Sequence, residues 1–117
     1  MHEYSIVQSL IERVEHEAVA RGAKRVVRLW VRLGELSGVE PDLLATAYDT
    51  FREHTICEGA PMELDRIAAA WACSRCGGEL PSNVTDALRC PRCHAPATLV
   101  AGDEILLSRI EMEVPDV

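Results

Sequence analysis

The sequence predicts an α+β architecture: two helices packed on a small three-stranded sheet, with a cysteine-rich unit inserted before the last strand. Three patterns carry this reading. Apolar residues recur at helical spacing in two segments. Two-residue alternation marks three others, the last near the C-terminal end. Between the second and third alternating segments, residues 72–102 hold four of the five cysteines, with glycines, prolines and little helical periodicity. The resulting order is α-β-α-β-(insert)-β, so the final strand rejoins the first sheet.

Each element has its own signal. Ile6, Leu10, Val14 and Ala18 recur every four residues, with Val7 and Ile11 widening the stripe, and Gly22 stands where a helix commonly ends. From Lys24 to Leu33 the period changes to two. Val27, Leu29, Val31 and Leu33 are expected on the buried face, with Val26, Arg28, Trp30 and Arg32 opposite. Gly34 to Glu40 reads as a loop. Pro41 suits the first turn of a second helix, whose stripe is Leu44, Ala47 and Phe51, supported by Leu43 and Tyr48, ending near His54. Gly59-Ala60-Pro61 is a break, and Met62 to Ile67 a short second strand. From Ile105 to Val114, Leu106, Ser108, Ile110, Met112 and Val114 are expected on one face, and Arg109, Glu111 and Glu113 on the other. The expected divisions are residues 1–70, an insert at 71–102, and a final strand at 103–117.

Composition bounds the function. The chain has 117 residues, 48% hydrophobic and 26% charged, the balance of a soluble globular protein. Twelve Lys and Arg face 19 Asp and Glu, for a formal charge of -7. An acidic field repels phosphate backbones, and 4% aromatic residues leave few stacking platforms, so nucleic-acid binding is not expected. The longest apolar run, Ile67 to Cys73, is far short of the roughly 20 residues that span a bilayer. Met1-His2-Glu3 opens with an acid and no basic region before an apolar stretch, so no signal peptide or membrane insertion is expected. A cytoplasmic location, where thiols stay reduced, follows as the expectation.

The cysteines carry chemistry. Cys73-Ser74-Arg75-Cys76 and Cys90-Pro91-Arg92-Cys93 are two C-x2-C pairs separated by 13 residues. Each pair lets two thiolates converge on one ion from a tight turn, and two pairs supply the four soft donors of tetrahedral structural zinc. The insert therefore reads as zinc-ribbon-like. A module of about 30 residues buries too little apolar surface to fold unaided, so metal would supply its folding energy. Redox dithiols or an iron–sulfur site compete with this reading. His94, directly after Cys93, reads as a surface residue beside the knuckle, or as an alternate ligand. Cys57 reads as a reduced, partly buried thiol, and His16 and His54 as solvated. The basic residues Arg75, Arg89 and Arg92 keep open a second function, a zinc-ribbon adaptor for protein or nucleic acid. There is no P-loop and no Ser/His/Asp grouping, so no enzymatic activity is expected.

The N-terminus has a weaker signal. A bulky His2 blocks removal of Met1. The α-amine, the following amides and the His2 imidazole can then form fused chelate rings, a nitrogen-rich set that suits Cu(II) or Ni(II). Alone, Met-His is usually an accident of sequence, and Glu3 is equally a first-turn acid favoured by the helix dipole.

Taken together, the motifs resemble a known family. Met1-His2-Glu3-Tyr4-Ser5, the run Arg32-Leu33-Gly34-Glu35-Leu36-Ser37-Gly38-Val39-Glu40-Pro41, Cys57-Glu58-Gly59-Ala60 and the paired C-x2-C motifs come in the order seen in the HypA/HybF family of hydrogenase maturation nickel metallochaperones. The resemblance covers essentially the whole chain. It implies a non-enzymatic carrier that delivers Ni(II) for [NiFe]-hydrogenase maturation. A HypB-like GTPase and the hydrogenase large subunit precursor would be its partners. By similarity, His2 is the principal nickel side chain, with the Met1 amine and the His2 and Glu3 amides completing the site. Cys73, Cys76, Cys90 and Cys93 match the family's zinc ligands. Some members place a histidine after each cysteine pair; here Gly77-Gly78-Glu79 follows the first, and His94 stands alone after the second.

Overall fold

The computed structural model describes residues 3–80 and 89–115. Its elements are α1 (Glu3–Arg21), β1 (Arg25–Gly34), α2 (Pro41–Phe51), β2 (Met62–Ile67), β3 (Ala70–Cys73), β4 (Ala97–Ala101) and β5 (Ile105–Glu113). β1 lies at the centre of a three-stranded sheet in the order β2-β1-β5, and β3 and β4 form a separate two-stranded sheet. β2 runs parallel to β1, a pairing that needs the α2 crossover, whereas β5 runs antiparallel. The predicted α+β order is therefore observed, with the chain between β2 and β5 forming the cysteine-rich insert.

α1 ends as its sequence predicts. Gly22 takes φ 64°, and the Ala23 amide donates to the Ala18 carbonyl at 2.9 Å. Val7, Leu10, Ile11, Val14 and Ala18 are buried. They meet Leu29, Val31 and Leu33 of β1 and Leu44, Ala47 and Tyr48 of α2 in one core. α2 starts at Pro41, whose missing N–H costs nothing at a helix start.

Three expectations need correction. In β1, Val26 opposes Met112 while Arg28 opposes Glu111, so Val27 is an extra residue. That bulge reverses the facing of the chain, and Val26, not Val27, is buried. In β5, Trp30 opposes Arg109 while Val31 opposes Leu107, so Ser108 is extra there, and its Oγ donates to the Trp30 carbonyl at 3.2 Å. Ile105, Leu107, Ile110 and Met112 pack on the core, and Leu106 and Val114 are half exposed. Of the expected inward residues of β5, only Ile110 and Met112 hold. Finally, α2 stops at Phe51 rather than near His54. Leu43 and Phe51 lie mostly outside the core, where the Phe51 ring meets Tyr4 edge-on at 4.8 Å. His54 sits beyond the helix in the left-handed region (φ 64°), its amide held by Glu58 Oε2 at 2.7 Å.

The chain leaves the first sheet after Ile67 and returns before Ile105, and the loop after β1 ties both crossings. Glu35 Oε1 accepts from the Ala69 amide at 2.9 Å, while the Glu35 amide donates to the Ile67 carbonyl at 2.9 Å. The Leu36 amide donates to the Gly102 carbonyl at 2.7 Å. The approach is close enough to exclude side chains. A Cβ on Gly34 would lie 2.1 Å from the Gly102 oxygen, and one on Gly102 would lie 2.5 Å from Ala69 Cα.

Candidate metal centre

The cysteine centre is built from two matched turns. β3 ends on Cys73, and the Gly77 amide donates back to the Cys73 carbonyl at 3.0 Å while the Cys73 amide donates to Gly78 at 2.9 Å. The second pair repeats this. The His94 amide donates to Cys90 at 2.9 Å, and the Cys90 amide to Ala95 at 2.9 Å. Each turn needs a left-handed residue after its second cysteine, supplied by Gly77 (φ 73°) and His94 (φ 60°). His94 thus fills a backbone position that glycine fills in the other turn. Its imidazole is outside the thiol cluster.

The four predicted cysteines converge. The sulfurs of Cys73, Cys76, Cys90 and Cys93 all lie within 4.8 Å of one another, with Cys93 3.4 Å from both Cys73 and Cys76. Four sulfurs around a tetrahedral ion with metal–sulfur bonds of about 2.3 Å stand about 3.8 Å apart, so this donor set fits such an ion. Cys73 and Cys90 are buried, Cys93 is half-buried, and Cys76 is exposed. Around them Leu80 and Ala95 are buried, with Trp71 and Ala97 packed alongside, a core of only a few side chains.

The electrostatics favour anionic sulfur at the two buried cysteines. Backbone amides of Cys93 and Arg92 pull the Cys90 thiol down to about 6. The Cys76 amide, 3.2 Å from Cys73 Sγ, leads the lowering of Cys73, with the Arg75 amide at 3.4 Å assisting. Cys76 is pushed up to about 12 because it shares hydrogen bonds with Cys93 and Cys73. Crowded thiols compete for protons in this way until a cation takes their place. Bound there, a divalent ion would cross-link two otherwise weakly packed turns. All four sulfurs are then engaged, which leaves no open coordination position for chemistry.

The remaining predicted residues are dispersed. Met1 and His2 lie outside the described residues. Glu3 opens α1 as an acid in its first turn, where the helix dipole favours it. Cys57 is fully buried in the main core beside Tyr48, and burial pushes its thiol up. His16 and His54 are exposed. Two basic residues of the insert have local partners: Arg89 Nη1 donates to the His94 carbonyl at 2.9 Å, and the Arg92 guanidinium lies over Gly78 of the facing turn. Sequence periodicity gave no signal for the Glu35 and Gly102 contacts, which depend on segments far apart in the chain.

Fold and centre define a class: a small α+β protein whose cysteine-rich insert gathers four thiols into a metal-binding cluster. Comparisons with known proteins narrow it. Residues 1–112 match the family model HypA, described as hydrogenase/urease nickel incorporation, metallochaperone. A Shewanella protein named hydrogenase maturation factor HypA is 42% identical over 118 residues, covering 99% of this chain and 98% of the relative. A protein of the same name from Aquifex aeolicus is 39% identical, covering 97% and 99% respectively. The solution structure of the Ni metallochaperone HypA from Helicobacter pylori superposes with a TM-score of 0.76 at 32% identity, covering 98% of this chain and all of that one. The chain belongs to the HypA family of nickel metallochaperones, which are carriers rather than enzymes.

Proposed function

We propose that this protein captures Ni(II) at its N-terminus and passes it on during [NiFe]-hydrogenase maturation, while a structural Zn(II) ion stays at Cys73, Cys76, Cys90 and Cys93. The observation that carries the reading is the whole-chain family match combined with a closed four-thiol cluster. A closed soft-donor set suits a resident ion and is poorly suited to a cargo that must leave. Cargo then falls to the other predicted donor set: the Met1 amine, the His2 imidazole and the amides of His2 and Glu3. Nitrogen donors of this kind favour Ni(II) or Cu(II), and they can be peeled away one at a time by a partner. The partners are a HypB-like GTPase and the hydrogenase large subunit precursor, and the setting is the cytoplasm. Residues 1–70 and 103–117 form the nickel domain, and 71–102 the zinc domain.

The test is a nickel titration and zinc analysis of tag-free protein beside the same protein extended before Met1, and beside His2→Ala. The native chain should bind one nickel. Both changes should weaken nickel binding while zinc stays at one per chain. An extended protein that binds nickel as tightly as the native one removes the N-terminal assignment.

A further inference from the structure

We infer that Arg92 is the built-in counter-cation of the cysteine centre: its guanidinium, seated over Gly78 of the facing turn, offsets the centre's negative charge and slows loss of the metal. The inference rests on the metal assignment above. Four thiolates and one divalent cation carry a net charge of -2. Cys76 is exposed and Cys93 only half-buried, so this charge stands near solvent and open to competing ligands. A cation placed beside the sulfurs lowers their electron density and their readiness to exchange.

Arg92 belongs to the second cysteine pair, yet its side chain crosses to the first. A Cβ built on Gly78 would stand 2.7 Å from Arg92 Nη2 and 3.8 Å from Cζ. The two glycines after Cys76 therefore have different reasons. Gly77 has a positive φ of 73°, which its turn requires. Gly78 has no positive φ, so its backbone would accept alanine, and what its missing Cβ leaves free is the seat of the guanidinium. Arg92 stands between Cys90 and Cys93 in the chain, and Gly78 lies two residues beyond Cys76, so the guanidinium spans the seam between the two cysteine turns. The position matching Arg92 in the first pair is Arg75, which contributes its backbone amide to Cys73 Sγ at 3.4 Å.

The experiment follows zinc transfer from the full-length protein to a chromogenic chelator. It compares native protein with Arg92→Gln, Arg92→Lys, Arg75→Gln, Gly78→Ala and the pair Gly78→Ala/Arg92→Gln. Zinc content before transfer is measured for each. All should hold one zinc per chain. Arg92→Gln should release it about fivefold faster, the size expected for one exposed charge-assisted contact. Arg92→Lys should stay near native, and Arg75→Gln should match native. Gly78→Ala, by displacing the guanidinium, should speed release, and should add nothing in the Arg92→Gln background. Added salt should raise the native rate toward that of Arg92→Gln while leaving the variant flat. Native protein without zinc would overturn the metal assignment, and this inference with it. Zinc-loaded protein whose Arg92→Gln rate equals native overturns the inference alone. So does Arg92→Lys as fast as Arg92→Gln, Arg75→Gln as fast as Arg92→Gln, or an additive Gly78→Ala.

Discussion

Replacing Tyr48 by Phe should cost little alone and much more once Arg52 is also removed. Tyr48 is buried on α2, and its hydroxyl donates to the Ala60 carbonyl at 2.7 Å. Arg52 Nη1 donates to the same carbonyl at 2.9 Å, and its guanidinium lies 5.5 Å from the Tyr48 ring centre. Tyr48→Phe keeps the ring and leaves Ala60 with its second donor, so the loss is one hydrogen bond, about 1 kcal/mol. Arg52→Met should cost about as much. In the double variant the buried carbonyl loses both side-chain donors, and an unmet buried acceptor costs about 1–3 kcal/mol beyond the bonds themselves. The coupling energy should therefore exceed about 1 kcal/mol, well above the roughly 0.5 kcal/mol within which independent sites add. Urea unfolding followed by far-UV circular dichroism, at pH 7.5 with excess zinc, measures all four corners of the cycle. Additive costs, or a single Tyr48→Phe loss above about 2 kcal/mol, would refute the shared-acceptor argument. pH supplies an independent check. Burial raises the Tyr48 hydroxyl above its ordinary value, and raises the Cys57 thiol in the same way. In the unfolded chain these groups ionise near 10 and 9. Above those values the unfolded state gives up protons that the fold retains, so stability present at neutral pH should fall as pH rises through 9 and 10. Tyr48→Phe should remove the tyrosine share of that slope.

Gly34→Ala should destabilise by about 3 kcal/mol or more, because its Cβ meets backbone oxygen at 2.1 Å and backbone cannot swing aside; a thermal midpoint within 2 °C of native, measured by calorimetry, would contradict the close approach, since about 1 kcal/mol already shifts a domain of this size by roughly 3–5 °C. His94→Gly should raise stability by about 0.5–1 kcal/mol, because His94 is held at φ 60° where glycine is unstrained; chelator-dependent thermal melts give the value, and a loss of zinc instead would show that the imidazole serves the site. Stripping zinc with a chelator should change the tryptophan fluorescence through Trp71, which packs on the small cysteine core, while the far-UV helical signal of α1 and α2 persists. Trp71→Phe should remove the fluorescence change, and parallel loss of helix would show that the two cores unfold together.

What the sequence made legible follows from local rules. The α1 stripe, the Gly22 stop and the Pro41 start depend on residues within one or two turns, and they stand as expected, whereas the α2 stripe holds at Leu44, Ala47 and Tyr48 and fails at Leu43 and Phe51. The four cysteines were legible because two C-x2-C pairs are the spacing by which tight turns bring four thiols together, and the four sulfurs do gather in one cluster. The strand faces were legible only in part. Periodicity assumes that every residue advances the pairing register by one, and Val27 and Ser108 break that assumption. Nothing in the residue pattern marks a valine or a serine as the extra one, because a bulge is decided jointly with the partner strand. Arg92 was readable as basic, but its seat was not, because the glycine that accommodates it lies on the other cysteine turn.

The motifs that carry the family resemblance have structural explanations in this fold. In the run from Arg32 to Pro41, Gly34 admits the Gly102 backbone and Glu35 holds the Ala69 amide. Gly38 turns at φ 80°, Val39 is buried, and Pro41 starts α2. In Cys57-Glu58-Gly59-Ala60, Cys57 fills the core, Glu58 fastens the His54 amide, Gly59 turns at φ 79°, and Ala60 offers its carbonyl to Tyr48 and Arg52. The first motif fixes both crossings of the insert, and the second fixes the approach to β2. A lesion in either should therefore act through geometry, altering how the insert is held while leaving each metal's donor atoms intact. Glu35→Gln tests this sharply, because the amide oxygen can still accept from Ala69 but without charge. It should leave zinc content and nickel stoichiometry unchanged and raise the exchange rate of the Ala69 amide in hydrogen–deuterium measurements. Unchanged protection at Ala69 would mean that the Glu35 charge contributes nothing to the junction.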